Sequence, residues 1–179
     1  MKVISGKYKG RNIEGFTIDG TRPTMDRVKE SLFAMIQNYI NDSNVLDLFS
    51  GSGNLAIESL SEGAKSITLV DSNYKAIKVI NNNLKNIGIE NAKVLNMDYK
   101  KALETLDDKF DIIFLDPPYK TNYIEESIKL ISKYNILSNE GIIVCESDSI
   151  DKIIYNEEYT CIKDKKYGDK YVVILKKVC

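Results

Sequence analysis

The chain contains no histidine and no tryptophan, and it has only three prolines and three cysteines. The missing histidine removes the commonest general base near neutral pH and a frequent metal ligand, so any chemistry must do without it. Cys145, Cys161 and Cys179 are odd in number and lack metal-site spacing. They read as reduced structural residues, and no metal is expected. No apolar run approaches the ~20 residues needed to cross a bilayer. The opening Met1-Lys2-Val3-Ile4-Ser5-Gly6-Lys7 has one apolar pair and no signal-peptide core, which points to a cytoplasmic location.

What is present suits one globular domain of 179 residues, 43% hydrophobic and 28% charged, with a substantial core. The net charge of -1 argues at first against nucleic acid, but its distribution is uneven. Residues 1–30 carry seven basic and four acidic side chains, a balance of +3, so the remainder carries -4. Lys2, Lys7, Lys9 and Arg11 fall before the first acid. A basic arm on a mildly acidic body can bind RNA locally, because phosphate contacts act over short range in salt. A solvated, lysine-rich surface segment fits the same composition.

Residues 1–24 read as a small β-hairpin extension and linker, with residues 25–179 forming the main domain. The extension has too few apolar residues for its own core. It is expected to lie against the main domain and display Lys7, Tyr8, Lys9 and Arg11. In Thr21-Arg22-Pro23-Thr24 the proline fixes φ ahead of a helix. Val28, Leu32, Ile36 and Tyr39 or Ile40 recur at helical spacing over residues 25–40. Arg22 and Arg27 flank its start, where they can meet phosphates or pair with Asp26 and Glu30.

A strand–helix alternation follows. Strands are expected at 45–49, 66–70, 92–97, 110–115 and 141–146, with helices between them at about 54–62, 73–87, 99–106 and 123–134. Residues 159–163 and 171–176 read as a final hairpin around Gly168-Asp169. The rhythm predicts a doubly wound, mostly parallel α/β sheet that finishes with antiparallel members.

Such sheets bind ligands beyond the carboxyl ends of their strands. Four candidate segments fall there: Asp47 to Asn54, Asp71, Asp98 and Asp116-Pro117-Pro118-Tyr119. Gly51 and Gly53 permit a tight turn beside a nucleoside-like cofactor. Asp71 is placed to accept ribose hydroxyls and Asp98 an adenine amine, although either can instead cap the following helix. Asp116 and the Pro117 carbonyl can accept from an exocyclic amine, and Tyr119 can stack on its ring.

The Asp-Pro-Pro-Tyr corner, downstream of Asp47-x-Phe49-x-Gly51-x-Gly53, resembles the amino-methylating S-adenosylmethionine-dependent methyltransferases. With Val3-Ile4-Ser5-Gly6, Gly10-Arg11, Thr21-Arg22-Pro23-Thr24, Asp26-Arg27-Val28-Lys29-Glu30-Ser31-Leu32-Phe33 and Tyr167-Gly168-Asp169 in order, nearly the whole chain is similar to the RsmD-like family. That family methylates a guanine N2 in small-subunit (16S) ribosomal RNA. The resemblance implies a seven-stranded methyltransferase sheet with an N-terminal β-hairpin. It implies S-adenosylmethionine held around Asp47, Phe49, Gly51, Gly53, Asp71 and Asp98, with S-adenosylhomocysteine as product. It places Asp116 to Tyr119 at the target amine and Lys7, Lys9, Arg11, Arg22 and Arg27 toward RNA, in an assembled small-subunit particle, with a monomer as the default. The sequence departs from the family in Tyr8, Ser50, Asn54 and Lys170. An adenine-N6 methyltransferase and a non-catalytic RNA-binding assembly protein are the competing expectations.

Overall fold

The computed structural model describes residues 1–16 and 24–178; Arg22, Pro23 and Cys179 lie outside the described residues. Among the described residues, five helices and seven strands follow the N-terminal ribbon. They run α1 (Thr24–Ile40), β1 (Asn44–Asp47), α2 (Asn54–Ser61), β2 (Ser66–Asp71), α3 (Tyr74–Ile87), β3 (Ala92–Asn96) and α4 (Tyr99–Thr105). The chain continues through β4 (Phe110–Leu115), α5 (Tyr123–Tyr134), β5 (Leu137–Ser147), a 3-10 turn at Ile150–Lys152, β6 (Tyr159–Tyr167) and β7 (Lys170–Lys177). No helix among the described residues is long and apolar enough to cross a membrane.

The sheet order is β3-β2-β1-β4-β5-β7-β6. The first five strands are parallel, and β7 enters antiparallel between β5 and β6. The expected doubly wound sheet with a closing hairpin is therefore present. β1 and β4 are central and covered on both faces, which is why Val45-Leu46 and Ile112 to Leu115 are continuous buried apolar runs. One core packs α1, α2, α3 and the ribbon against the sheet; the other packs α4 and α5. β5 begins four residues earlier than expected, because Leu137 pairs with Phe110 before the register shifts to Ile142 opposite Ile112.

The ribbon is less regular than the expected pair of strands. It makes a single Lys2–Asn12 bridge, flanked by backbone bonds from Val3 N to Arg11 O (2.9 Å) and Ile13 N to Met1 O (2.8 Å). Val3 and Ile13 are buried in the core beneath α1 and α3, and Tyr8 is half-buried rather than displayed. The ribbon passes so close to the end of α2 that a Cβ at Gly6 would lie 1.9 Å from the Ser61 carbonyl oxygen. That contact, with φ at +82°, requires glycine.

Its main anchor is ionic. Glu58 of α2 is completely buried and pairs with Lys29 of α1 at 2.9 Å, itself 2% exposed. The backbone N–H groups of Ile4 and Ser5 donate to the same carboxylate at 3.0 Å. Lys29 Nζ also donates to the Lys2 carbonyl and Asn54 Oδ1, both at 2.8 Å. The charges are thus paired and surrounded by hydrogen-bonding partners, which is what makes their burial tolerable. Lys29→Met leaves Glu58 buried without its counter-charge, and we expect a loss of about 3–5 kcal/mol in urea unfolding. A change within 0.5 kcal/mol, typical of a surface site, would show that the pair does not hold this side of the fold.

Candidate active site

The site grows from the way each parallel strand ends. β1 stops at Asp47, and the chain turns through Ser50 to Gly53 into α2. Ser50 Oγ donates to the Asp47 carbonyl (2.8 Å) and Ser50 N to the Val70 carbonyl (2.9 Å), tying this turn to β2. Gly53 has φ +83° and heads α2 without a side-chain cap. A Cβ there would stand 3.0 Å from Leu69 Cδ2. Gly53 thus shapes the turn, while Gly51 faces the cavity.

Asp71, ending β2, accepts from Gly51 N at 2.9 Å through Oδ2 and from Asn73 N at 2.8 Å through Oδ1. The cap of α3 is Asn73, not Asp71. Asp71 therefore braces the glycine turn, and its remaining lone pairs can accept hydroxyl hydrogens. Asp98 does cap α4, accepting from Lys100 N at 2.8 Å, yet it also lines the cavity. Beyond β4, the Asp116 to Tyr119 corner is braced from two sides. Thr121 Oγ1 donates to the Pro118 carbonyl at 2.7 Å, and Lys152 Nζ donates to the Tyr119 carbonyl at 2.5 Å.

Two cavities meet along this edge. One, of about 460 Å³, is lined by Phe49, Gly51, Asp71, Asp98, the Asp116 to Tyr119 corner and Tyr123. Phe49 stacks on Tyr123 with centroids 6.0 Å apart and touches Tyr99 at 5.2 Å, giving this cavity an aromatic wall. The other, of about 230 Å³, lies toward α1 and takes in Asp47, Lys29, Asn54, Glu146 and Lys170. Phe16, Phe49, Gly51 and Asp116 belong to both. The sequence reading anticipated the carboxylates of the first cavity. It missed Lys29, Phe16, Tyr123 and the Glu146–Lys170 pair as site residues. Glu146 carried a usable signal, since it closes an apolar strand as Asp71 and Asp116 do.

The basic residues are less concentrated. Lys7, Lys9 and Arg11 are exposed, and the ribbon tip sits against Ser61 at the far end of α2. At 1.5 Å per residue this is roughly 10 Å along the helix from the site. Arg27 is exposed in α1 beside Val28, which lines the smaller cavity. Among the described residues no ion pair joins Arg27 to Asp26 or Glu30. Arg22 lies outside the described residues.

Electrostatics sharpen the carboxylates. Burial raises the Asp47 pKa to about 7, helped by the nearby Asp71 charge and opposed by backbone groups of Phe49 and Ala56. Among the described residues its Oδ1 is buried without a hydrogen-bond partner, and Asp47 lines the smaller cavity. Asp116 is raised well above the usual range, first by burial and then by Glu146, with Lys170 pulling the other way. Burial also raises Tyr119, again opposed by Lys170. Lys170 itself is disfavoured by burial, but Glu146 outweighs that and keeps the ammonium charged.

The sheet order and its carboxyl-edge site define a Rossmann-like S-adenosylmethionine methyltransferase fold. The family model described as Conserved hypothetical protein 95 matches residues 1–176. The chain is 35% identical over 173 residues to Ribosomal RNA small subunit methyltransferase D of Haemophilus influenzae, covering 94% of this chain and 89% of that one. It is 34% identical over 148 residues to the protein of the same name in Escherichia coli strain K12, covering 83% and 75%. The solved structure of the yhhF protein of Escherichia coli superposes with a TM-score of 0.89 at 29% identity, covering 99% of this chain and 97% of that one. The chain belongs to this RsmD-like ribosomal RNA methyltransferase family.

The raised Asp47 has a consequence for stability. Its folded pKa of about 7 lies above the ordinary 3.8, so the unfolded chain releases this proton first as pH rises. Stability from the protonated form is complete below pH 4 and is lost as pH passes from about 4 to about 7, at up to about 1.4 kcal/mol per pH unit for one proton. Asp47→Asn should flatten this slope in urea unfolding curves taken from pH 4.5 to 7.5. Parallel pH dependences in the two proteins would contradict the assignment.

Proposed function

We propose that this chain transfers a methyl group from S-adenosylmethionine to the N2 amine of a guanine in 16S ribosomal RNA. The substrate in this reading is the small subunit as an assembled particle in the cytoplasm, and the enzyme acts as a monomer. The observation that carries the reading is the meeting of the two cavities at Asp116. Family membership supports the RNA substrate.

The residues present fit the cofactor. Asp71 offers acceptor capacity to ribose hydroxyls, Asp98 to an adenine amine, and the unpartnered Asp47 oxygen to an α-ammonium group. Gly51 allows close approach, Gly53 sets the turn, and Phe49 supplies an apolar face. When bound, S-adenosylmethionine supplies a methyl group activated by a sulfonium. The chain's own task is to present the amine to it. A guanine N2 lone pair is delocalised into its ring and is a poor nucleophile. Asp116 and the Pro117 carbonyl accept the two amine hydrogens and hold the nitrogen with its lone pair directed outward. Neither Pro117 nor Pro118 has an N–H, so the corner offers acceptors only. Tyr119, 36% exposed, is available to stack on the base and shield the amine from water. Such positioning can contribute up to ~7–11 kcal/mol of barrier reduction. The raised pKa of Asp116 also suits it to take the proton released when the new N–C bond forms.

Lys7, Lys9, Arg11, Arg22 and Arg27 make the RNA contacts in this reading, with residues 1–24 as an extension of the 25–179 catalytic domain. Because the tip stands well away from Asp116, its lysines act as backbone clamps.

The test uses labelled S-adenosylmethionine with small subunits from a strain lacking the gene. Label should appear on guanine N2. Asp116→Ala should retain cofactor binding by calorimetry but lose at least about 100-fold in methylation rate. Asp71→Ala should instead weaken cofactor binding by about 10- to 100-fold. Label on adenine or on DNA, or full activity in Asp116→Ala, would contradict the proposal.

A further inference from the structure

Three charged groups on adjacent strands stand together where the target base would enter. Asp116 follows β4, Glu146 lies at the end of β5 and Lys170 begins β7. The register explains their proximity. Leu115 pairs with Cys145, so the next residues are Asp116 and Glu146. Glu146 pairs with Val172, and Lys170 stands two residues before Val172 on the same face. Lys170 Nζ donates to Glu146 Oε1 at 2.6 Å and lies 5.6 Å from the Tyr119 ring centroid. Glu146 is only 8% exposed. All three charged groups line the smaller cavity. With the Lys170 side chain 32% exposed, the ion pair adds little stability, so its position beside the reactive corner calls for another explanation.

The pattern matches one base edge. The Watson–Crick edge of guanine presents, in a row, the N2 amine donor, the N1–H donor and the O6 acceptor. The cluster presents, in a row, a carboxylate, a carboxylate and an ammonium. Adenine presents its N6 amine, then the N1 lone pair, then C2–H, so Glu146 would face a lone pair and Lys170 would have no acceptor. A carboxylate has about four lone-pair sites, so the bond from Lys170 leaves Glu146 with acceptor capacity.

On the reading proposed above, we infer that Glu146 and Lys170 are specificity residues: Glu146 accepts N1–H and Lys170 donates to O6 while Asp116 holds the N2 amine. The pair gives the site its preference for guanine, and the preference is paid for in the binding of any base that leaves these charges unmatched. No bond is made or broken in this step. Lys170 gives this chain a charged donor at the O6 position.

The experiment uses small subunits reconstituted with 16S RNA carrying either guanine or 2-aminopurine at the methylated position. 2-Aminopurine keeps the N2 amine but lacks both N1–H and O6. The wild-type protein should prefer guanine by on the order of 100-fold in kcat/KM. Glu146→Gln and Lys170→Met should lower the rate on guanine while reducing that preference by about 10-fold each, with calorimetric binding of S-adenosylmethionine unchanged. Equal losses on both bases would overturn the inference and leave the pair as a brace between β5 and β7. If the wild-type label is absent from guanine N2, the underlying reading fails, and the inference fails with it.

Discussion

The buried pair between Lys29 and Glu58 is the contact on which the α1 side of the molecule depends. It joins the two helices that flank β1 and fastens the ribbon to both. Glu58 takes the backbone donors of Ile4 and Ser5, and Lys29 reaches the Lys2 carbonyl. The same lysine holds Asn54, the first residue of α2, and lines the smaller cavity. The ribbon is therefore one wall of the site as well as a carrier of basic residues. Met1 and Phe16 both reach the smaller cavity, which links the placement of the ribbon to the shape of that cavity.

The sheet supplies the complementary constraint. Parallel strands deliver Asp47, Asp71 and Asp116 to one edge, and adjacent positions in the order β2-β1-β4 bring them side by side. Crowding of carboxylates in a poorly solvated place is costly, and the structure responds differently at each. Asp71 is satisfied by two backbone donors. Asp47 is pushed toward protonation. Asp116 is raised by burial and Glu146 and moderated by Lys170. Three chemically identical side chains thereby stand in different electrostatic environments, and the proposed function assigns them different tasks: to brace and accept, to take a cation, and to hold an amine and receive its proton.

Much of this was legible in the order of residues. β4 and α5 fall where expected, because an uninterrupted apolar run and a helical apolar period are strong signals. The Asp-Pro-Pro-Tyr corner announced itself because two prolines after a buried strand leave few conformations. The start of β5 was not legible, since Ser138, Asn139 and Glu140 are polar and join the strand only through pairing around the register shift. The ribbon was read as two strands, and its arms do pair through Val3–Arg11, Gly10–Val3 and Met1–Ile13 backbone bonds; what was not legible is that the N–H groups of Ile4, Ser5, Lys7 and Tyr8 turn to α2. Lys29 and Glu58 looked like ordinary charges on helices; their burial arises from tertiary packing, which no local period encodes. Glu146 and Lys170 became neighbours only when β7 was placed beside β5, a pairing of strands 24 residues apart at these positions.

The account turns on Asp116, where the two cavities meet. The most direct measurement is a crystal structure of the protein with S-adenosylhomocysteine. The account predicts the nucleoside against Asp71 and Asp98 in the larger cavity, the amino-acid end toward Asp47, and the sulfur facing Asp116. Ligand density in the smaller cavity beside Glu146 and Lys170, with the larger one filled only by solvent, would contradict it.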